Sequence, residues 1–99
     1  MRREVLEDEL VKIVEIGKEF GVGKVFLFGS CLEDAETAND IDIAVEGVKP
    51  SDFFEYYGKV SLAVNDEVDI VDLEDLREHM RKRVLSKGRL LYEKGIQGT

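Results

Sequence analysis

The segment DIDIAV, residues 40–45, alternates with period two, and no other feature constrains the chain as strongly. As a strand it sends Ile41, Ile43 and Val45 to one face and Asp40 and Asp42 together to the other. The apolar set asks for a core. The paired carboxylates ask for an explanation, because each raises the cost of ionising its neighbour. An edge strand with a solvated polar face accounts for an isolated Asp-x-Asp. This one is not isolated.

The remaining elements follow from periodicity. Leu6, Leu10, Ile13, Gly17 and Phe20 recur at helical steps, so a helix is predicted from Glu4 to Phe20, stopped by Gly21 and Gly23. KVFLF, EVDIVDL and the terminal RLLYE join DIDIAV as strands. A second helix is expected from Ser51 to Val64 behind Pro50, with Phe53, Tyr57, Val60 and Val64 inward. A third is expected from Leu73 to about Lys87, burying Leu73, Leu76, Met80 and Val84 before Gly88 ends it. The tail IQGT reads as loose. The expectation is a single α/β domain over residues 1–99: a mixed sheet of about four strands with three helices packed on it.

Composition narrows the partners. A net charge of −8 opposes docking on a nucleic-acid backbone, so nucleic acid is not expected as a stable partner. The single cysteine, Cys31, excludes an internal disulfide, and no apolar run is long enough for a membrane span, which suits a cytoplasmic protein.

Two further signals surround the Asp pair. Gly29-Ser30 ends the strand KVFLF, where a turn can bring backbone N–H groups and a hydroxyl against a phosphate, glycine permitting close approach. In VDIVDL, Asp69 sits inside the apolar alternation, where a carboxylate has no structural role. Asp72 has one: it precedes Leu73-Glu74-Asp75 and reads as a helix N-cap with further acids in the first turn. Asp69 is therefore placed with Asp40 and Asp42. Such a set suits magnesium, which wants hard oxygen ligands, and two ions roughly 3.5–4 Å apart can clamp the attacking and leaving oxygens of nucleotidyl transfer.

An apolar residue, Gly-Ser, a gap of nine residues, Asp-apolar-Asp-apolar on a strand and apolar-Asp-apolar on a later strand resemble the nucleotidyltransferase superfamily that includes DNA polymerase β and kanamycin nucleotidyltransferase. The short length and the ending KGRLLYEKG are most similar to the minimal nucleotidyltransferases of bacteria and archaea, and the resemblance covers nearly the whole chain. It implies that Gly29 and Ser30 hold the phosphates of ATP or another nucleoside triphosphate. It also implies that Asp40 and Asp42 bind metal, two magnesium ions in all, and that Asp69 completes the metal site and helps activate an acceptor hydroxyl. The chain departs from many relatives after Gly-Ser, where they carry arginine and it carries Cys31, Glu33, Asp34 and Glu36. Lys24, Lys49 and Arg77 are the replacement cations considered, and the sequence does not rank them.

Two functional classes follow. The first is an enzyme transferring a nucleoside monophosphate, AMP from ATP, to an acceptor hydroxyl. The second is an antitoxin-like binding subunit with weak or no activity. They overlap, since some minimal nucleotidyltransferases are similar to antitoxins that modify a helical HEPN-domain toxin. A chain this short needs a second surface to enclose a substrate, which a helical HEPN-type partner or a homodimer can supply. FFEYY holds more aromatic surface than one stripe buries, leaving Phe54 and Tyr56 to flank it as broader core or as a docking surface. REHMRKR is read as a solvated helix face, His79 as a boundary residue and Cys31 as a small turn residue.

Overall fold

DIDIAV is used in the interior of a sheet. The structure, a computed structural model, describes residues 2–34 and 40–95, so Glu36 and the tail IQGT lie outside the described residues. Its elements in chain order are α1 (Arg3–Glu19), β1 (Lys24–Phe28), α2 (Ser30–Glu33), β2 (Asp40–Glu46), α3 (Pro50–Ala63), β3 (Glu67–Asp72), one 3₁₀ turn (Leu73–Asp75), α4 (Glu78–Lys87) and β4 (Arg89–Glu93). The strands lie in the order β3-β2-β1-β4. β1 runs antiparallel to both β2 and β4, while β2 and β3 are parallel. The mixed four-stranded sheet with helices is the architecture expected from the sequence. The edge-strand explanation of Asp40 and Asp42 fails, because β2 is paired on both sides.

The pleat sorts the sheet into two faces. Val25, Leu27, Ile41, Ile43, Val45, Val68 and Ile70 join Leu6, Leu10, Ile13, Tyr56 and Val60 of α1 and α3 in the main core. Phe26, Ala44, Leu73 and Val84 form a smaller cluster on the opposite face, flanked by Phe28, Val71 and Leu76. α1 closes with its C-terminal amides satisfied: Gly21 adopts φ 72°, its N–H donates to Lys18 O, and Val22 N–H reaches back to Gly17 O.

Two sequence expectations are corrected. Tyr56 does not flank the α3 stripe but lies at its centre, fully buried with Val60, while Phe53 and Tyr57 are half-buried. Its ring packs edge-on against Phe20 at 5.8 Å, and its hydroxyl donates to Ile13 O at 3.3 Å, so a polar tip is no obstacle to burial. The expected helix Leu73–Lys87 is broken. Asp72 caps only a single 3₁₀ turn, accepting from Glu74 N–H at 3.0 Å, and Leu76 and Arg77 are extended before α4 begins. Topology supplies the reason: the chain must cross from β3 at one edge to β4 at the other, with the 3₁₀ turn packing on β2 and α4 on β1.

Gly17 and Gly58 sit within helices at ordinary negative φ. A methyl on Gly17 meets nothing nearer than 3.5 Å, and one on Gly58 meets nothing within 4 Å. Gly17→Ala and Gly58→Ala should each stabilise the fold by about 0.5–1 kcal/mol by reducing unfolded-state freedom, raising the melting temperature by roughly 2–8 °C. Thermal unfolding followed by circular dichroism checks this, and a lowered midpoint for Gly58→Ala contradicts it.

Candidate active site

Three strands converge at one end of the α4 face. Phe28, the last residue of β1, pairs with Asp42, and Asp42 pairs on its other side with Asp69. Asp40 stands opposite Glu67 in the same parallel ladder. Neighbouring strands lie about 4.8 Å apart and side chains two residues apart share a face, so Asp40, Asp42, Glu67 and Asp69 form a two-by-two block of acids. The three acids singled out in the sequence are thus brought together. Glu67 was missed, although Glu67-x-Asp69 repeats the alternation of Asp40-x-Asp42.

The block strains its own charges. Burial first, then the negative charges of Asp69 and Asp40, push the Asp42 carboxyl above its ordinary value. Among the described residues no three Asp, Glu, His or Cys side chains converge closely enough to enclose a metal ion. Asp69 is turned toward α3: the Tyr57 hydroxyl lies 3.2 Å from its Oδ1 and 3.1 Å from Val68 O, and donates to one of these at a time. Tyr57 read in the sequence as part of the core stripe, and nothing in the periodicity marks its hydroxyl as reaching Asp69.

Gly29 fits against Asp42. Its φ of 77° and ψ of −153° fall in a region open essentially to glycine alone, and a Cβ there would overlap the Asp42 carboxylate. The exposed Ser30 then begins α2, a helical turn where the sequence suggested only a turn. Cys31 is buried, and its thiol donates to Asp40 O at 3.1 Å, tying α2 to the start of β2. Burial and then Asp42 push that thiol up, which keeps it protonated and unreactive.

The three cations considered for this end of the molecule each stand at the wrong end of an element. Lys24 pairs with Glu46 at 3.7 Å and Glu93 at 3.8 Å, at the start of β1. Lys49 caps α3 beyond the far end of β2. Arg77 precedes α4, whose ten residues span about 15 Å, and it is the other end of α4 that faces Gly29. There Phe28, Gly29, Leu32, Glu33, Met80, Arg83, Val84, Lys87 and Gly88 line a cavity of about 400 Å³. Met80, expected in the core, lines this cavity, while His79 is exposed.

Gly29→Ala should destabilise the chain by about 1–3 kcal/mol through backbone strain alone, with displacement of Asp42 in addition; an unchanged unfolding midpoint in urea contradicts the close fit. Asp42→Asn should stabilise the metal-free protein. A carboxyl whose folded pKa is raised costs stability where it is ionised, so the gain should be full above the folded pKa and vanish as pH falls through the ordinary carboxylate value. Melting curves from pH 3 to pH 8 check the sign, and equal midpoints at pH 7 and above overturn it.

The family model described as polymerase beta, nucleotidyltransferase matches residues 11–97. No curated protein matches significantly. Among solved structures, a presumed minimal nucleotidyltransferase superposes with a TM-score of 0.74 at 24% identity, covering 89% of this chain and 94% of that one. A toxin–antitoxin structure with AMP-PNP gives 0.71 at 26% identity over 87% of this chain and 74% of that one. A tri-AMPylated HEPN toxin of Shewanella oneidensis in complex with its MNT antitoxin gives 0.68 at 25% identity, over 88% and 71%. The family match reaches from the middle of α1 past the end of β4 and takes in Gly29 and every acid of the block, and the chain therefore belongs to the polymerase beta nucleotidyltransferase family.

Proposed function

We propose that this single domain is a metal-dependent nucleotidyltransferase that moves AMP from ATP to a hydroxyl on a helical HEPN-type partner in the cytoplasm. The observation that carries the reading is the register of Asp42 with Asp69 beside Asp40, at the end of the sheet face that α4 leaves open. The chain's similarity to an antitoxin bound to a tri-AMPylated HEPN toxin, and to a toxin–antitoxin structure with AMP-PNP, supports the nucleotide and the partner.

The donor set fits magnesium. All of its ligands are hard oxygens, and the raised Asp42 carboxyl marks a concentration of like charge that a divalent cation relieves. Asp40, Asp42 and Asp69 would hold two such ions, which supply charge neutralisation at the transferring phosphoryl group. The chain's own residues do the rest. Gly29, lacking a side chain, lets the phosphates approach the backbone, and the Ser30 hydroxyl donates to them. Asp69, steadied by Tyr57, accepts the proton of the acceptor hydroxyl. The new bond joins that hydroxyl oxygen to the α-phosphorus; the bond from phosphorus to the β-bridging oxygen breaks, and its electrons leave with pyrophosphate.

A second reading, an antitoxin-like subunit that binds its partner with weak or no catalysis, is favoured by one observation. Glu33 stands after Gly-Ser and faces the cavity, where negative charge opposes a triphosphate. Incubating the purified chain with magnesium, ATP and the HEPN-type protein from the same source, then weighing the partner, separates the two. The enzyme reading expects AMP added to a partner tyrosine, serine or threonine, with Asp42→Asn lowering the rate by about 100-fold or more, the scale of losing one electrostatic stabiliser. An unmodified partner held in a stable complex overturns the enzyme reading in favour of the second.

A further inference from the structure

Tyr57 reaches the acids from behind the sheet. It belongs to α3 and packs against the main core, yet its hydroxyl comes to the outermost strand, β3, and lies 3.1 Å from Val68 O and 3.2 Å from Asp69 Oδ1. The Phe53 ring, edge-on at 6.1 Å, holds it there. The other two tyrosines are placed differently. Tyr56 is fully buried with its hydroxyl on Ile13 O, and Tyr92 pairs with Val25, toward the end of β1 away from Gly29. Among the described residues, Tyr57 is thus the one tyrosine whose hydroxyl touches an acid of the block. Across the sheet the order is Gly29 against Asp42, Asp42 beside Asp69, and Asp69 against Tyr57. An in-line displacement puts the attacking and leaving oxygens on opposite sides of the phosphorus. With the phosphates toward Gly29, the Tyr57 hydroxyl stands on the attacking side, one hydrogen bond from the group that takes the proton.

We infer that Tyr57 is itself an acceptor: with no partner hydroxyl in place, the chain transfers AMP from ATP to its own Tyr57. The inference rests on the nucleotidyltransferase reading and adds this chain to its substrates. The phenol proton passes to Asp69, and the new bond joins the Tyr57 oxygen to the α-phosphorus. The bond from phosphorus to the β-bridging oxygen breaks, its electron pair leaves with pyrophosphate, and a tyrosine-AMP phosphodiester remains. ATP is the only co-substrate consumed. Acceptor and site belong to one chain, so the step is unimolecular, and a well-oriented intramolecular group acts at an effective concentration on the order of 10⁵ M or more. A partner hydroxyl has to take the place of Tyr57 at Asp69, so the two acceptors compete. AMP joined to Tyr57 fills the acceptor side of the block, which limits the modification to one per chain and closes the site to further ATP.

The purified chain, incubated with magnesium and ATP but no partner, tests this by intact mass and by fragmentation that separates Tyr56 from Tyr57. Wild type should gain the mass of one AMP, mapped to Tyr57, with a half-time that dilution of the protein leaves unchanged. Tyr57→Phe should gain none, and Asp42→Asn should gain it about 100-fold or more slowly. Mapping on wild type decides the acceptor even where Tyr57→Phe fails to fold. The modified chain, isolated and titrated with magnesium-ATP by calorimetry, should have lost the binding that the unmodified chain shows. AMP on another residue, a half-time that lengthens on dilution, or a modified chain that binds ATP as before each overturns the inference. A chain that stays unmodified while AMP is added to the HEPN-type protein overturns it and leaves the enzyme reading standing. AMP on neither protein overturns both.

Discussion

β2 is hydrogen-bonded along both edges, and its pleat leaves each side chain one of two faces. Everything else in the molecule is arranged around that choice. On one face Ile41, Ile43 and Val45 are sealed by α1 and α3. On the other, Ala44 is small enough for Leu73 and Val84 to pack over it, while Asp42, two residues earlier, is left only half-buried. The boundary between packed and open sheet falls within a single strand. It lies where α4 ends, and α4 ends where Gly88 lets it turn into β4.

Charge is distributed with the same economy. Most ion pairs join partly exposed side chains, such as Lys59 with Glu19 and Lys18 with Glu15, and such pairs contribute roughly 0–1 kcal/mol each. Glu9 differs, being 2% exposed. Burial alone would raise its pKa, but the Lys12 ammonium and the amides of Asn65 and Asp66 outweigh burial and lower it. Its contribution is present above the ordinary carboxylate range and lost as pH falls through its folded pKa, opposite in sign to that of Asp42. Those amides belong to the loop that delivers β3, so a buried carboxylate on α1 helps set the register in which Asp69 meets Asp42.

The strands were legible because period-two alternation survives in each, and α1 because its stripe and its glycine stop agree. What escaped was whatever tertiary contact decides. Tyr56 could be placed at the centre of α3 only once the Ile13 carbonyl was known to receive its hydroxyl. The break at Leu76-Arg77 follows from a crossover that no local propensity records. That Asp40, Asp42, Asp69 and Gly29 come together at one end of the sheet could be read from spacing, because strand geometry carries spacing directly into position. The approach of the last turn of α4 to Gly29 could not, since it depends on β4 pairing with β1.

The sheet also acts as a partition. The main core lies behind it and the acids lie in front, so the two sets of residues share a backbone, with Tyr57 reaching from the core side to Asp69. A lineage that ceased to use the acids could replace Asp42 with a neutral residue and gain stability while α1 and α3 continued to hold the same shape. The outer surface of α3, where Phe54 and Leu62 are 81% and 91% exposed, would pass through such a change unaltered. In this architecture the acids of the open face can change without unfolding the chain, and the proposed enzyme and a purely binding subunit would be separated by few substitutions.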